Sequence, residues 1–67
     1  MENTMPVIRV EMFSGRNKKQ KASLVKDITN VFIKTCGGKA EEVDVIITDI
    51  DKDHWGQGGK LFSDHDN

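Results

Sequence analysis

From Pro6 to Phe13 polar and apolar side chains alternate: Ile8, Val10 and Met12 fall on one face, Val7, Arg9, Glu11 and Phe13 on the other. That two-residue period predicts a strand. Proline suits its first position, where the missing N–H costs no ladder bond. Ser14-Gly15-Arg16 reads as a short loop. Asn17, with Gln20 completing a capping box, then opens a helix. Ala22, Leu24, Val25, Ile28, Val31, Phe32 and Cys36 recur at helical intervals and form one apolar stripe. Gly37-Gly38 ends the helix, because glycine takes the left-handed position after a helix without a Cβ penalty. Ala40 to Glu42 fits a single turn, and Val43 to Ile50 a second strand, with Val43, Val45 and Ile47 on one face and Asp44, Ile46 and Thr48 on the other. A polar turn, Asp51 to His54, leads into Trp55-Gly56-Gln57-Gly58-Gly59 and then a short strand or hairpin arm over Lys60 to Phe62. Met1 to Met5 is a polar leader without pattern, and Ser63 to Asn67 reads as a frayed end.

Strand, helix and strand in this order predict an α/β chain built on one βαβ unit, with parallel strands and a right-handed crossover. Such a sheet is covered on one face only, whereas parallel sheets are normally buried on both. Apolar residues on both faces of each strand therefore call for a partner chain. Length leads to the same place. A chain of 67 residues is one domain, and at this size folding buries only about 60% of the unfolded surface. Small domains gain stability from disulfides, metals or association. Cys36 is the only cysteine, which rules out a disulfide within the chain. One cysteine and two histidines are a poor ligand set for structural zinc. Homo-oligomerisation is the remaining remedy.

A net charge of −1 provides no bulk field for nucleic acid or a membrane surface. No apolar run approaches the roughly 20 residues of a membrane span, and no secretory leader pattern opens the chain. The expectation is a cytoplasmic protein with a reduced thiol. Taken residue by residue, most polar and special positions have plain readings. Arg16 fits a solvated loop cation, Trp55 a core or interface anchor, and Cys36 a buried small hydrophobe. Lys18, Lys19 and Lys21 fit a solvated helix face. His54 and His65 lie among aspartates without metal-site spacing. Gly56, Gly58 and Gly59 do not have dinucleotide-loop spacing and suit a tight turn. No cofactor or metal is expected. Pro6 is different in kind. Its nitrogen is a basic secondary amine if the chain begins there, and a nearly non-basic amide if Met1 to Met5 stay attached.

The run PVIRVEMFSGR, the helix opening on NKKQK, the strand VDVIITDI and the closing DHWGQGGKLFSD together resemble the 4-oxalocrotonate tautomerase family, without a gap from Pro6 to about Asp64. The resemblance implies a tautomerase/MIF-like fold over residues 6–64, with Met1 to Met5 as a leader and residues 65–67 as a tail. It implies βαβ protomers paired into dimers with a four-stranded sheet, commonly assembled as a hexamer. It implies an isomerase in which the N-terminal proline amine is the general base. That amine moves a proton from the hydroxyl of a dienol or enol acid to carbon, giving the keto form of a small 2-hydroxy or 2-oxo acid such as 2-hydroxymuconate or phenylenolpyruvate. An α-amino group titrates near ~8; an apolar, cation-flanked site lowers that value and keeps the base free at neutral pH. On this resemblance Pro6 is the catalytic base, and Arg16 holds the substrate carboxylate through paired N–H donors. Trp55 and Phe13 keep the pocket apolar.

Two departures from the pattern carry consequences. Asp44 stands where well-studied members have a second arginine, and a carboxylate there repels an anionic substrate. Arg9 and Lys60 are candidate replacements for the lost charge, and Asp44 is a candidate partner for Arg16. The second departure is the leader. Translation from Met5 would yield a free Pro6 after methionine removal, whereas Met1 followed by Glu2 would not be trimmed. The rival expectations are a non-catalytic subunit of the same fold with Pro6 capped, and a related proline-amine hydratase or decarboxylase.

Overall fold

A computed structural model describes residues 5–64. Residues 1–4, most of the expected leader, and the expected tail 65–67 lie outside them. Strand β1 (Val7–Phe13) pairs in parallel with β2 (Asp44–Ile50), from Val7 opposite Asp44 to Phe13 opposite Ile50. Helix α1 (Lys18–Cys36) makes the crossover. A 3-10 turn, Ala40–Glu42, precedes β2, and another, Lys52–His54, follows it. Beyond them β3 (Gly56–Gln57) and β4 (Lys60–Leu61) form a small antiparallel hairpin, closed by a 3-10 turn at Phe62–Asp64.

The start of α1 follows the residues that predict it. The Asn17 side chain accepts from the Gln20 N–H at 2.8 Å, and the Gln20 side chain accepts from the Asn17 N–H at 3.0 Å. Two orphan donors of the first turn are thereby satisfied. Asn17→Ala should lower the unfolding free energy by about 1 kcal/mol, read as a lower urea midpoint at unchanged slope. An unchanged midpoint would mean the cap contributes nothing. At the other end the Gly37 N–H donates to the Ile33 carbonyl at 2.8 Å, and Gly37 sits at φ 86°. Its ψ of −176° departs from the left-handed helical form and belongs to a region open almost only to glycine.

Packing follows the predicted periods with three exceptions on the helix. Ile8, Val10 and Met12 of β1, and Val45 and Ile47 of β2, are half-buried beneath Leu24, Val25, Ile28 and Phe32. Ala22, Val31 and Cys36, expected on the same stripe, are exposed, Val31 by 62%. Two strands make too narrow a sheet to cover the flank that carries Val31. Cys36 was expected to be buried; it instead lines an open cavity near Pro6. Lys21, expected to be solvated, is half-buried and paired with Asp49 of β2.

Among the described residues none is fully buried. The face of the sheet away from α1 carries Val7, Arg9, Glu11, Asp44, Ile46 and Thr48, all exposed, with Val7 at 49% and Ile46 at 42%. Among the described residues no helix is long and apolar enough to cross a membrane.

Candidate active site

Pro6 stands half-buried just ahead of β1, its carbonyl accepting the Asp44 N–H at 3.0 Å. That bond ties the proline to the first residue of β2. Beside it opens a cavity of about 240 Å³. Phe32, Cys36 and Val43 supply its apolar wall, and Lys39 and Glu42 its charged rim. The Gly37-Gly38 turn forms one edge. The side chains at 6, 8 and 10 fall on the helix side of the sheet, as the alternation of a strand requires, so Pro6 faces this cavity rather than the open face.

A second cluster gathers around the far end of β1. Phe13 packs against Trp55 with ring centroids 4.3 Å apart and against Phe62 at 4.7 Å, both tilted. The Phe62 N–H donates to the Trp55 carbonyl at 2.6 Å and draws the hairpin arm back onto the strand. The Arg16 guanidinium donates through Nη1 to the Phe13 carbonyl at 3.0 Å. Gly15, at φ 135°, gives the turn that brings Arg16 there, in a conformation that strains any side chain. The Ser14 N–H donates to the Ile50 carbonyl at 3.0 Å, and its hydroxyl to Asp51 Oδ1 at 3.1 Å, locking this end of the sheet. The Lys52 ammonium lies 5.7 Å from the centre of the Phe13 ring, a cation–π distance. Asp51 and Asp53 lie around the same cleft.

The structure thus brings Arg16, Phe13 and Trp55 together and leaves Pro6 apart from them. Seven strand residues separate Pro6 from the end of Phe13, about 23 Å at ~3.3 Å per residue. Phe13 does not stand beside the proline of its own chain, as a wall position near Pro6 would require. Asp44 and Arg16 sit at opposite ends of the strand pair and make no contact in one chain. Asp44 is exposed and belongs to the open face, not to the lining of its own Pro6 cavity. Neither Arg9, on the open face, nor Lys60, on the hairpin, lines that cavity. Sequence reasoning did not single out Lys39, Glu42, Lys52 or Phe62 as parts of a site. A signal existed for Glu42: parallel pairing of Val7 with Asp44 places the residues just before β2 alongside Pro6.

A βαβ unit headed by a proline over an apolar-walled cavity, with a C-terminal hairpin folded back on the strand, is the fold of the small α/β tautomerases. The family model described as "Tautomerase enzyme" matches residues 6–65. A probable tautomerase of Staphylococcus haemolyticus is 40% identical over 60 residues, covering 90% of this chain and 97% of that protein. The 2-hydroxymuconate tautomerase of Bacillus subtilis is 38% identical over 60 residues, with the same two coverages, 90% and 97%. The crystal structure of YwhB, a homologue of 4-oxalocrotonate tautomerase, superposes with a TM-score of 0.86 at 36% identity, covering 91% of this chain and 100% of that one. The chain belongs to the tautomerase family.

Proposed function

We propose that this protein is a cofactor-independent tautomerase of small 2-hydroxy/2-oxo acids, acting in the cytoplasm with the Pro6 amine as its general base. The tautomerase domain is residues 6–64, and Met1 to Met5 are absent from the active form. The observation that carries the reading is the place of Pro6: it heads β1, half-buried, at the edge of a small apolar-walled cavity. Partial burial there withholds solvation from the protonated ammonium, which favours the free base. It takes the enol hydroxyl proton and delivers a proton to carbon, leaving the 2-oxo acid. Its ring fixes the direction of the lone pair, so little reorganisation precedes transfer.

Arg16 supplies the carboxylate contact, and Phe13 and Trp55 exclude water. The ~23 Å between the two ends of β1 is too far for a small acid to span within one chain. The catalytic unit is therefore an oligomer, in which the Arg16–Phe13–Trp55 end of one copy meets the Pro6 cavity of another. The exposed apolar residues Val7 and Ile46 of the open sheet face support this assembly, since two sheets meeting there would bury them.

The test is ketonisation of phenylenolpyruvate followed by absorbance, with intact mass taken on the same sample. Catalysis is expected from the species whose N-terminus is Pro6, and a rate no faster than buffer from that species would end the proposal. Position 44 offers a separate check. Asp44→Arg should raise kcat/KM on a dicarboxylate dienol by about tenfold, since a charge-assisted pair replaces a repulsion. No gain would place residue 44 outside the assembled site.

A further inference from the structure

We propose that Glu42 sets the charge limit of the site, so that the enzyme selects acids with a single carboxylate and an apolar remainder over dicarboxylates. The inference rests on the reading above, in which Arg16 of one copy takes one carboxylate beside the Pro6 cavity of another. The rest of the substrate must then lie in that cavity. Phe32 and Val43 offer an apolar end of the substrate a wall of like character. A second carboxylate would meet Glu42 instead.

Two observations place that negative charge. Glu42 is half-buried and lines the cavity with Pro6. Its Oε1 lies 3.8 Å from where a Cβ on Gly38 would stand, so the carboxylate rests against the glycine turn at the cavity edge. Among the described residues it takes part in no hydrogen bond or ion pair through its side chain; the ion pair found there joins Lys21 to Asp49. Its charge has no fixed partner among the described residues. Lys39 is, among the described residues, the one cation on the same rim. It is exposed where Glu42 is half-buried, so its field is the more heavily screened of the two. Like charges brought together in a partly desolvated cleft repel strongly enough to decide between ligands of similar shape.

The experiment compares the wild type with Glu42→Gln and Glu42→Asp. Binding is measured by calorimetry on the full chain and on the form beginning at Pro6, with cinnamate as the monocarboxylate probe and cis,cis-muconate as the dicarboxylate. Turnover is measured on the latter form with phenylenolpyruvate and 2-hydroxymuconate. The wild type beginning at Pro6 should favour the monocarboxylate, and Glu42→Gln should shift the ratio toward the dicarboxylate by roughly tenfold in both binding and kcat/KM. Glu42→Asp, which keeps the charge, should hold the wild-type ratio. An unshifted ratio in Glu42→Gln overturns the proposal, as does an aspartate variant that behaves like the glutamine one. Absence of turnover with a shifted binding ratio would count against the proline-base reading while supporting the charge limit.

Discussion

A chain that keeps Met1 to Met5 should have no tautomerase activity, while the same chain beginning at Pro6 should be active. The difference is expected to reach at least about a hundredfold, since positioned general bases contribute about 10²–10⁴-fold to rate. The cause is one bond. Acylation by Met5 delocalises the Pro6 lone pair into an amide and removes its basicity. The Asp44 N–H to Pro6 carbonyl bond of 3.0 Å does not involve that nitrogen, so the tie between the proline and β2 is available to both forms. The comparison therefore separates loss of the base from loss of the fold. Circular dichroism and elution volume should match between the two forms while the rates diverge. Pro6→Ala in the processed form should also lose most of the rate, about a hundredfold. Alanine keeps an amine but loses the ring that aims it. If the alanine variant retained the full rate, the ring would contribute nothing to the proton transfer.

The second large effect is expected far from the proline. Ile46 lies on the open face of the sheet, 42% exposed, and does not line the Pro6 cavity. In an isolated chain, Ile46→Asp should be nearly silent, as surface changes usually are. In the proposed oligomer it replaces the apolar contact of Ile46 with a buried carboxylate beside Arg9, and desolvating that charge costs on the order of a few kcal/mol. The variant should elute as a smaller species in light-scattering chromatography, and its kcat/KM should fall by about a hundredfold or more at micromolar concentration. Raising protein concentration should restore part of the activity by mass action. A wild type that is monomeric and fully active would overturn the shared-site reading at once. A dissociated but fully active Ile46→Asp variant would place the two halves of the site in one chain after all.

The two expectations bear on different parts of the chain's own information. The elements were legible because their determinants are local. Alternation over Val7–Phe13, the Asn17/Gln20 box and the Gly37-Gly38 stop act within a few residues of where they are written. Parallel pairing required only the βαβ order and its handedness, whereas the register, Val7 opposite Asp44, came from the structure. Cys36 and Lys21 were misread for a common reason: periodicity gives the angle around a helix but not the width of what lies beneath it. Two strands cover less than the stripe they face, and the first turn of α1 comes within reach of Asp49. Phe62 escaped notice because a lone aromatic in a short polar tail has no period. Only the returning hairpin sets it against Phe13.

By itself the sequence determined a βαβ protomer, a proline at the head of its first strand, an arginine just past that strand's end, and more apolar surface than one chain buries. Each follows from residue type and spacing along the chain, which no tertiary contact alters. The tertiary structure decided which of those residues meet. It set Glu42 and Lys39 beside Pro6, and Arg16 beside Phe13 and Trp55, and it held the two groups a strand's length apart. Proximity across the sheet depends on register and on the path of the crossover, and an extended strand separates its two ends however closely they stand in the sequence.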